Sequence, residues 1–345
     1  MSNPVPRMVD WDLAVAVGSR LAGKGPSITS EEAEVVVAEL RAGANRSTGL
    51  VRAFTGLDAP DGTAPVVVVD RPGWVRANAD GFATALAPIV DKLASKEEPS
   101  RFAQAVGSRI TGLEVGGLLG FLAGKVLGQF DPFFAPAGRL LLVAPNVVNV
   151  ERELEVDPGD FRLWVCLHEE THRVQFTAVP WLGAHLLGEM HAIADSLEPT
   201  GLLDEGFSRL VDSLKGGSRG GSLLDIVATD EQREIVDRVT AVMSLLEGHA
   251  DVVMDGVGPA VIPTVADIRK RFNRRRKGVG MLDRTLRRLL GLDAKMAQYR
   301  DGAKFVRGVV DKAGMAEFNA IWERPENLPS KAEIGEPAAW ISRVL

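Results

Sequence analysis

The chain has 345 residues, of which 46% are hydrophobic and 25% charged, and it carries a formal net charge of −6. That composition belongs to an ordinary soluble globular protein with ample core, and the acidic balance argues against a general nucleic-acid binder. The single Cys166 excludes an internal disulfide, and Met1-Ser-Asn-Pro-Val-Pro-Arg7 lacks the apolar run of a secretory signal, so a cytoplasmic protein is expected.

Trp11 to Leu21, Ser30 to Arg41 and Asp80 to Leu93 place apolar residues at helical spacing, and Thr29-x-x-Glu32 makes a capping box for the second. Ala64 to Asp70 includes four consecutive valines and predicts a short buried strand or part of a helix junction. Gly112, Gly116, Gly120, Gly124 and Gly128 recur every four residues within Ile110 to Gln129. Such a stripe lets another helix approach closely. Glu114 and Lys125 leave only ten uncharged residues between them, too few for the roughly 20 that a bilayer span needs. A tightly packed core helix is expected, with a peripheral membrane contact as the alternative. Arg139-Leu-Leu-Leu-Val143 predicts a second strand, ended by Pro145 and Asn146.

A helix from about Pro158 to Thr177 follows. Asp157 can cap it, Pro158 suits its first position, and Asp160 favours the positive end of its dipole. Within it, His168-Glu169-Glu170-Thr171-His172 contains HExxH. Histidines four residues apart project from one face of a helix, so both imidazoles can occupy corners of a zinc tetrahedron. Glu169, one position on, can reach a metal-bound water from the side. With five His and 23 Glu in the chain, shuffling produces HExxH about 0.4% of the time, a small false-positive rate for this motif. The rival reading is a pair of satisfied core histidines. Glu170 lies beyond the base and is expected at the surface or behind the ligands. Cys166 points some 200° away from His168, at ~100° per residue, and is expected to be a buried thiol.

Zinc needs a third protein ligand. Ala178 stands where a metzincin would place its third His, and Gln175 replaces the required Gly, so that class is excluded. The best candidate is Glu247, in Ser244-Leu-Leu-Glu247-Gly-His249-Ala-Asp251, late in a long helix that opens with the capping box Thr229-Asp-Glu-Gln232. Glu247 and His249 sit about 200° apart and cannot both face one metal, while Asp251 shares the Glu247 face and could orient a ligand imidazole. His249, His191 and Glu205 stay open as alternatives at this point. Lys215 to Ser222 reads as a flexible loop between the two ligand helices.

Cys166-Leu-His-Glu-Glu-Thr-His-Arg-Val-Gln-Phe176, Leu246-Glu-Gly-His-Ala-Asp251 and Val252-Val-Met-Asp255 resemble the zincin-like metallopeptidase family of actinobacteria, whose members are often associated with biosynthesis of a deazaflavin cofactor. The resemblance runs from Trp11 to Glu326-Asn-Leu-Pro329, nearly the whole chain. It implies His168 and His172 as metal ligands, Glu169 as catalytic base and Glu247 as third ligand. It also implies an α+β, predominantly α-helical, zincin-like fold, with the HExxH helix packed against a small sheet and a second helix carrying a ligand. One domain is expected over residues 1–345, with an N-terminal helical part (1–130), a metal-site core (131–260) and a C-terminal helical part (261–345). By analogy with zincins, the strand beginning at Arg139 is expected to be an edge that pairs with extended substrate.

The implied activity is zinc-dependent peptide hydrolysis, with a peptide or protein as substrate and Zn2+ as cofactor. Tyr299, His249 or His191 could stabilise the oxyanion. The rival function comes from Arg269-Lys-Arg-Phe-Asn-Arg-Arg-Arg-Lys277, followed by Arg284, Arg287 and Arg288. A regulatory protein that keeps only the scaffold could use this segment on nucleic acid, an anionic surface or an acidic partner. A solvated helix face is the plainer account of it.

Overall fold

The structure, a computed structural model, describes residues 9–60, 62, 64–94, 101–196, 229–277 and 292–345. Helices dominate it, with one three-stranded sheet. The chain divides into two compact units: Met1–Phe54, Asp58–Ala178 and Val257–Arg269 form the first, and Thr55–Leu57, Val179–Gly256 and Lys270–Leu345 the second.

The first unit opens with α1 (Trp11–Leu21) and α2 (Ser30–Thr55). The predicted capping box starts α2: Glu32 N–H donates to Thr29 Oγ1 at 3.1 Å, and Thr29 N–H to Glu32 Oε2 at 2.7 Å. The helix runs well past the predicted Arg41, because no proline interrupts it, and Gly56, at φ +71°, follows its last residue. Strand β1 (Val66–Val69) comes next, then α3 (Arg71–Ala94), which begins nine residues before the predicted Asp80. Asp70 caps it by accepting from the Gly73 N–H at 2.7 Å.

The glycine stripe does not form one continuous helix. Helix α4 (Arg101–Ala123) ends early, and Gly128 belongs to a strand, β2 (Gly128–Asp131), that the sequence did not reveal. Three of the glycines seat α4 directly on the backbone of α1. A Cβ at Gly112 would lie 2.6 Å from the Asp10 carbonyl oxygen, one at Gly116 2.7 Å from that of Ala14, and one at Gly120 2.8 Å from that of Gly18. The stripe is thus the seam of a close helix pair. Among the described residues no helix is long and apolar enough to cross a membrane.

Strand β3 (Arg139–Val143) passes without a loop into α5 (Ala144–Leu154), where Pro145 occupies the first turn. The sheet order is β1-β3-β2, with β1 parallel and β2 antiparallel to β3. The strand expected at the edge is therefore the central one, because β3 is paired along both sides. Its side chains alternate. Leu141 and Val143 pack with Trp74, Val75, Leu119 and Ala123 of α3 and α4, which leaves Leu140 and Leu142 for the opposite face, where α6 (Pro158–Ala178) lies.

The second unit contains α7 (Pro180–Ser196) and most of α8 (Asp230–Val261). Helix α9 (Val265–Lys277) is divided after Arg269, its later residues belonging to the second unit, which continues through α10 (Leu292–Ala313), α11 (Met315–Phe318), α12 (Lys331–Gly335) and α13 (Pro337–Val344). Its core gathers Phe305, Phe318, Trp322 and Trp340, with the Trp340 indole N–H donating to the Asn327 carbonyl at 2.7 Å. Helices α8 and α10 touch through backbone alone at Gly248 and Gly302. A Cβ on either would run into the main chain of the other helix.

Candidate metal centre

Helix α6 begins as its sequence predicts. Asp157 accepts from the Asp160 N–H at 2.8 Å, and Asp160 in turn accepts from the Thr264 hydroxyl at 2.6 Å and its backbone N–H at 3.1 Å. Phe161, Leu163, Trp164, Val165 and Leu167 bury nearly the whole circumference of its first half. The HExxH residues therefore sit mid-helix, where their spacing is held by the helix itself.

His168 and His172 are half-buried, with ring centroids 4.8 Å apart and their Nε2 atoms converging to 3.3 Å. Gln175, fully buried one turn on, places its Oε1 2.9 Å from His172 Nδ1. An amide oxygen only accepts, so this contact is a hydrogen bond in the tautomer whose Nδ1 carries the proton, and that tautomer leaves the Nε2 lone pair for a metal. The ligand atoms of His168, His172 and Glu247 all lie within 4.8 Å of one another. Two imidazole nitrogens and one carboxylate oxygen are a donor set that suits a divalent zinc.

Glu169 is 7% exposed and lies against β2. A Cβ at Gly128 would stand 2.5 Å from its Cγ, 2.7 Å from its Cδ and 3.0 Å from its Oε1. The carboxyl arm thus lies flat on the backbone of the strand.

Glu170 is not at the surface. It is fully buried, because α2 continues past Arg41 and brings Thr48 over it, and because Arg173 supplies the opposite charge. Arg173 Nε donates to both Glu170 oxygens, at 2.9 and 3.0 Å, and its Nη2 also reaches Oε1. Thr48 donates to Glu170 at 2.6 Å and accepts from Arg173 at 2.8 Å, while Arg173 Nη1 reaches the Ala64 carbonyl at 3.2 Å. Burial pushes the Glu170 carboxyl up; Arg173 and Thr48 act against it. This network ties α6 to α2 and to the residues entering β1. Cys166 is the expected buried thiol, 3.4 Å from the Leu40 carbonyl, its pKa raised by burial and then by Glu170 and Glu169.

Among the described residues, neither His249 nor His191 is part of this group. His249 is fully buried and stacks on Phe318 at 5.5 Å with Trp322 at 5.4 Å, consistent with its 200° offset from Glu247. His191 lies half-buried on α7. Glu205 and the loop Lys215 to Ser222 fall outside the described residues, as do Arg284, Arg287, Arg288 and the side chain of Tyr299. The basic run forms α9, which buries Val265 and Ile268 and exposes Lys270 and Arg274.

The sequence matches the zincin-like metallopeptidase family over residues 9–341. The chain belongs to that family. A protein of known structure from Chloroflexus aurantiacus is 32% identical, with a TM-score of 0.71 over 97% of this chain and 98% of that one; it is described as "a putative hydrolase with a novel fold". No curated protein matches the chain. Family membership implies a metal ion, usually zinc, and the His168, His172 and Glu247 group is one that could hold it. Sequence reasoning missed two residues of the site. Gln175 could have been found as the position one turn after His172 on the same face. Gly128 could not, because its contact with Glu169 depends on an unrecognised strand.

Proposed function

We propose that this protein is a zinc-dependent metallopeptidase in which His168, His172 and Glu247 hold the metal and Glu169 is the general base. The observation that carries the reading is the convergence of two imidazoles and a carboxylate within 4.8 Å beside a nearly buried glutamate. Zinc held by these three residues would supply Lewis acidity and lower the pKa of a water toward ~7. Glu169 would take a proton from the attacking water and hand it to the departing amine. Its low exposure suits the role, because a carboxylate screened from bulk water keeps the proton it takes. Gln175 holds the His172 ring in the tautomer that leaves Nε2 available.

The substrate is a peptide in extended form. Among the described residues β2 pairs only with β3, so its other side offers main-chain donors and acceptors, next to Glu169. Substrate pairing is thereby assigned to β2 in place of β3. The solved relative described as a hydrolase supports the same class of reaction.

The test is Glu169→Gln, which keeps size and reach but cannot take a proton. Zinc content and melting temperature should match wild type, while cleavage of a peptide library falls by roughly 100-fold or more. Equal cleavage by both proteins would refute the mechanism. No metal-dependent cleavage by either would favour the non-catalytic binding protein.

A further inference from the structure

The catalytic helix and the edge strand meet at one point that the proposed chemistry does not by itself explain. Strand β2 alternates: Gln129 and Asp131 face α3, and Gly128 and Phe130 face α6. The first pair is anchored. Gln129 accepts from the Trp74 indole at 2.9 Å and donates to Asn78 at 3.0 Å, and Asp131 takes the Arg139 guanidinium at 3.1 Å. The second pair meets α6 at residues seven apart, Phe130 on Phe176 at 5.4 Å and Gly128 on Glu169. Anchored on both faces, β2 can neither slip in register nor retreat from the helix.

Gly128 is not among the glycines with positive φ, so its backbone conformation is open to any L-residue. Glycine is required there by one neighbour. The three heavy atoms nearest a Cβ at position 128 are Cγ, Cδ and Oε1 of Glu169, the closest at 2.5 Å. A methyl group at 128 must therefore be absorbed by the glutamate arm, which has torsional freedom, rather than by the strand, which has none.

We infer that Gly128 is a positioning residue for the general base: its missing side chain is the space in which the Glu169 carboxyl lies, and filling that space turns the base away from the reacting water. The inference rests on the proposed assignment of Glu169 as base. Gly128 contributes no group to the chemistry and acts only through the orientation of Glu169.

The experiment compares wild type, Gly128→Ala, Glu169→Ala and the double variant, each as the full zinc-loaded chain and again after chelation. Gly128→Ala should keep one zinc per chain and its KM for a peptide substrate while kcat falls by about 10- to 100-fold, the scale of a misplaced catalytic group. It should also lower the melting temperature in the Glu169 background and much less in the Glu169→Ala background, where Cγ, Cδ and both oxygens are gone. That coupling is read with or without metal and needs no turnover. An unchanged kcat in Gly128→Ala would overturn the inference, as would an equal melting loss in both backgrounds. If Gly128→Ala fails to fold, recovery of folding in the double variant supports the contact, and failure of both refutes it. A wild type that binds zinc but cleaves nothing removes the proposed function, and the positioning role falls with it; melting coupling would then report packing alone.

Discussion

Replacing Gln175 by methionine tests the hydrogen bond that the structure places behind the metal centre. The substitution keeps the length of a fully buried side chain and removes the oxygen 2.9 Å from His172 Nδ1. Without zinc, the freed imidazole can turn to find another partner. With zinc bound as proposed, the ring would be pinned through Nε2 and its N–H would stay unsatisfied, so the penalty would fall on the metal-bound state. An unsatisfied buried donor costs about 1–3 kcal/mol. At ~1.4 kcal/mol per decade this predicts roughly 5- to 150-fold weaker zinc binding, in line with the 10- to 100-fold typical of lost partners to metal-bound histidines. Competition against a chromophoric chelator near neutral pH measures it directly. Gln175→Glu, which restores an acceptor and adds charge, should bind zinc at least as tightly as the methionine variant and closer to wild type. If all three proteins agree within about twofold, a shift far below the predicted range, then Gln175 does not orient the ligand and the tautomer argument fails.

Glu247→Ala should release zinc under mild chelation if Glu247 is the proposed third ligand, whereas His249→Ala should retain zinc but melt at lower temperature, because His249 is packed against Phe318 and Trp322. Metal analysis and thermal melting of both variants check this, and the reverse pattern would exchange the two roles. Gly302→Ala forces a methyl group into the Ser244 carbonyl where α8 and α10 touch, and should cost at least the 1–3 kcal/mol usual for overpacking. Gly117→Ala, with nothing within 4 Å on α4, should gain about 0.5–1 kcal/mol; denaturant unfolding compares the two. At the C-terminus, burial pushes the Glu333 carboxyl up, but hydrogen bonds from Arg343 and from the Ser330 backbone and hydroxyl outweigh it and hold the pKa below the ordinary value. A depressed carboxylate stabilises the fold above its unfolded pKa and loses that contribution as pH falls through its folded pKa. Glu333→Gln should therefore flatten the loss of melting temperature between about pH 5 and 3, and an unchanged acid limb would refute it.

What the sequence disclosed about this protein followed from how local each feature is. HExxH is a statement about one helix, and helical geometry carries it: the convergence of the two Nε2 atoms follows from a spacing of four. The caps at Asp157 and Thr29 were legible for the same reason, since each bonds three residues ahead. Glu247 belongs to a helix distant in sequence, and there the family resemblance contributed what spacing could not. The strand position was misjudged although its composition held a clue. Leu140-Leu-Leu-Val143 is a continuous apolar run, the mark of a strand covered on both faces, and such strands lie inside sheets. Its partner, Gly128-Gln-Phe-Asp131, is short and half polar, as an edge strand should be, and it was hidden inside a helical-looking glycine period.

That period shows why spacing alone cannot assign a glycine its task. A step of four returns nearly to the same face of a helix, and an even step also returns to the same face of a strand. The stripe therefore keeps its spacing although α4 ends at Ala123 and β2 begins at Gly128, and nothing in the pattern marks the change. Gly112, Gly116 and Gly120 give up their side chains to the backbone of α1, whereas Gly128 gives up its own to a single carboxyl arm. The first kind of contact is between main chains and governs stability. The second is between a main chain and the proposed base, so its removal should appear in turnover before it appears in folding. Residue type and spacing are the same in both; only the element that each glycine faces separates a structural seam from a clearance built for chemistry.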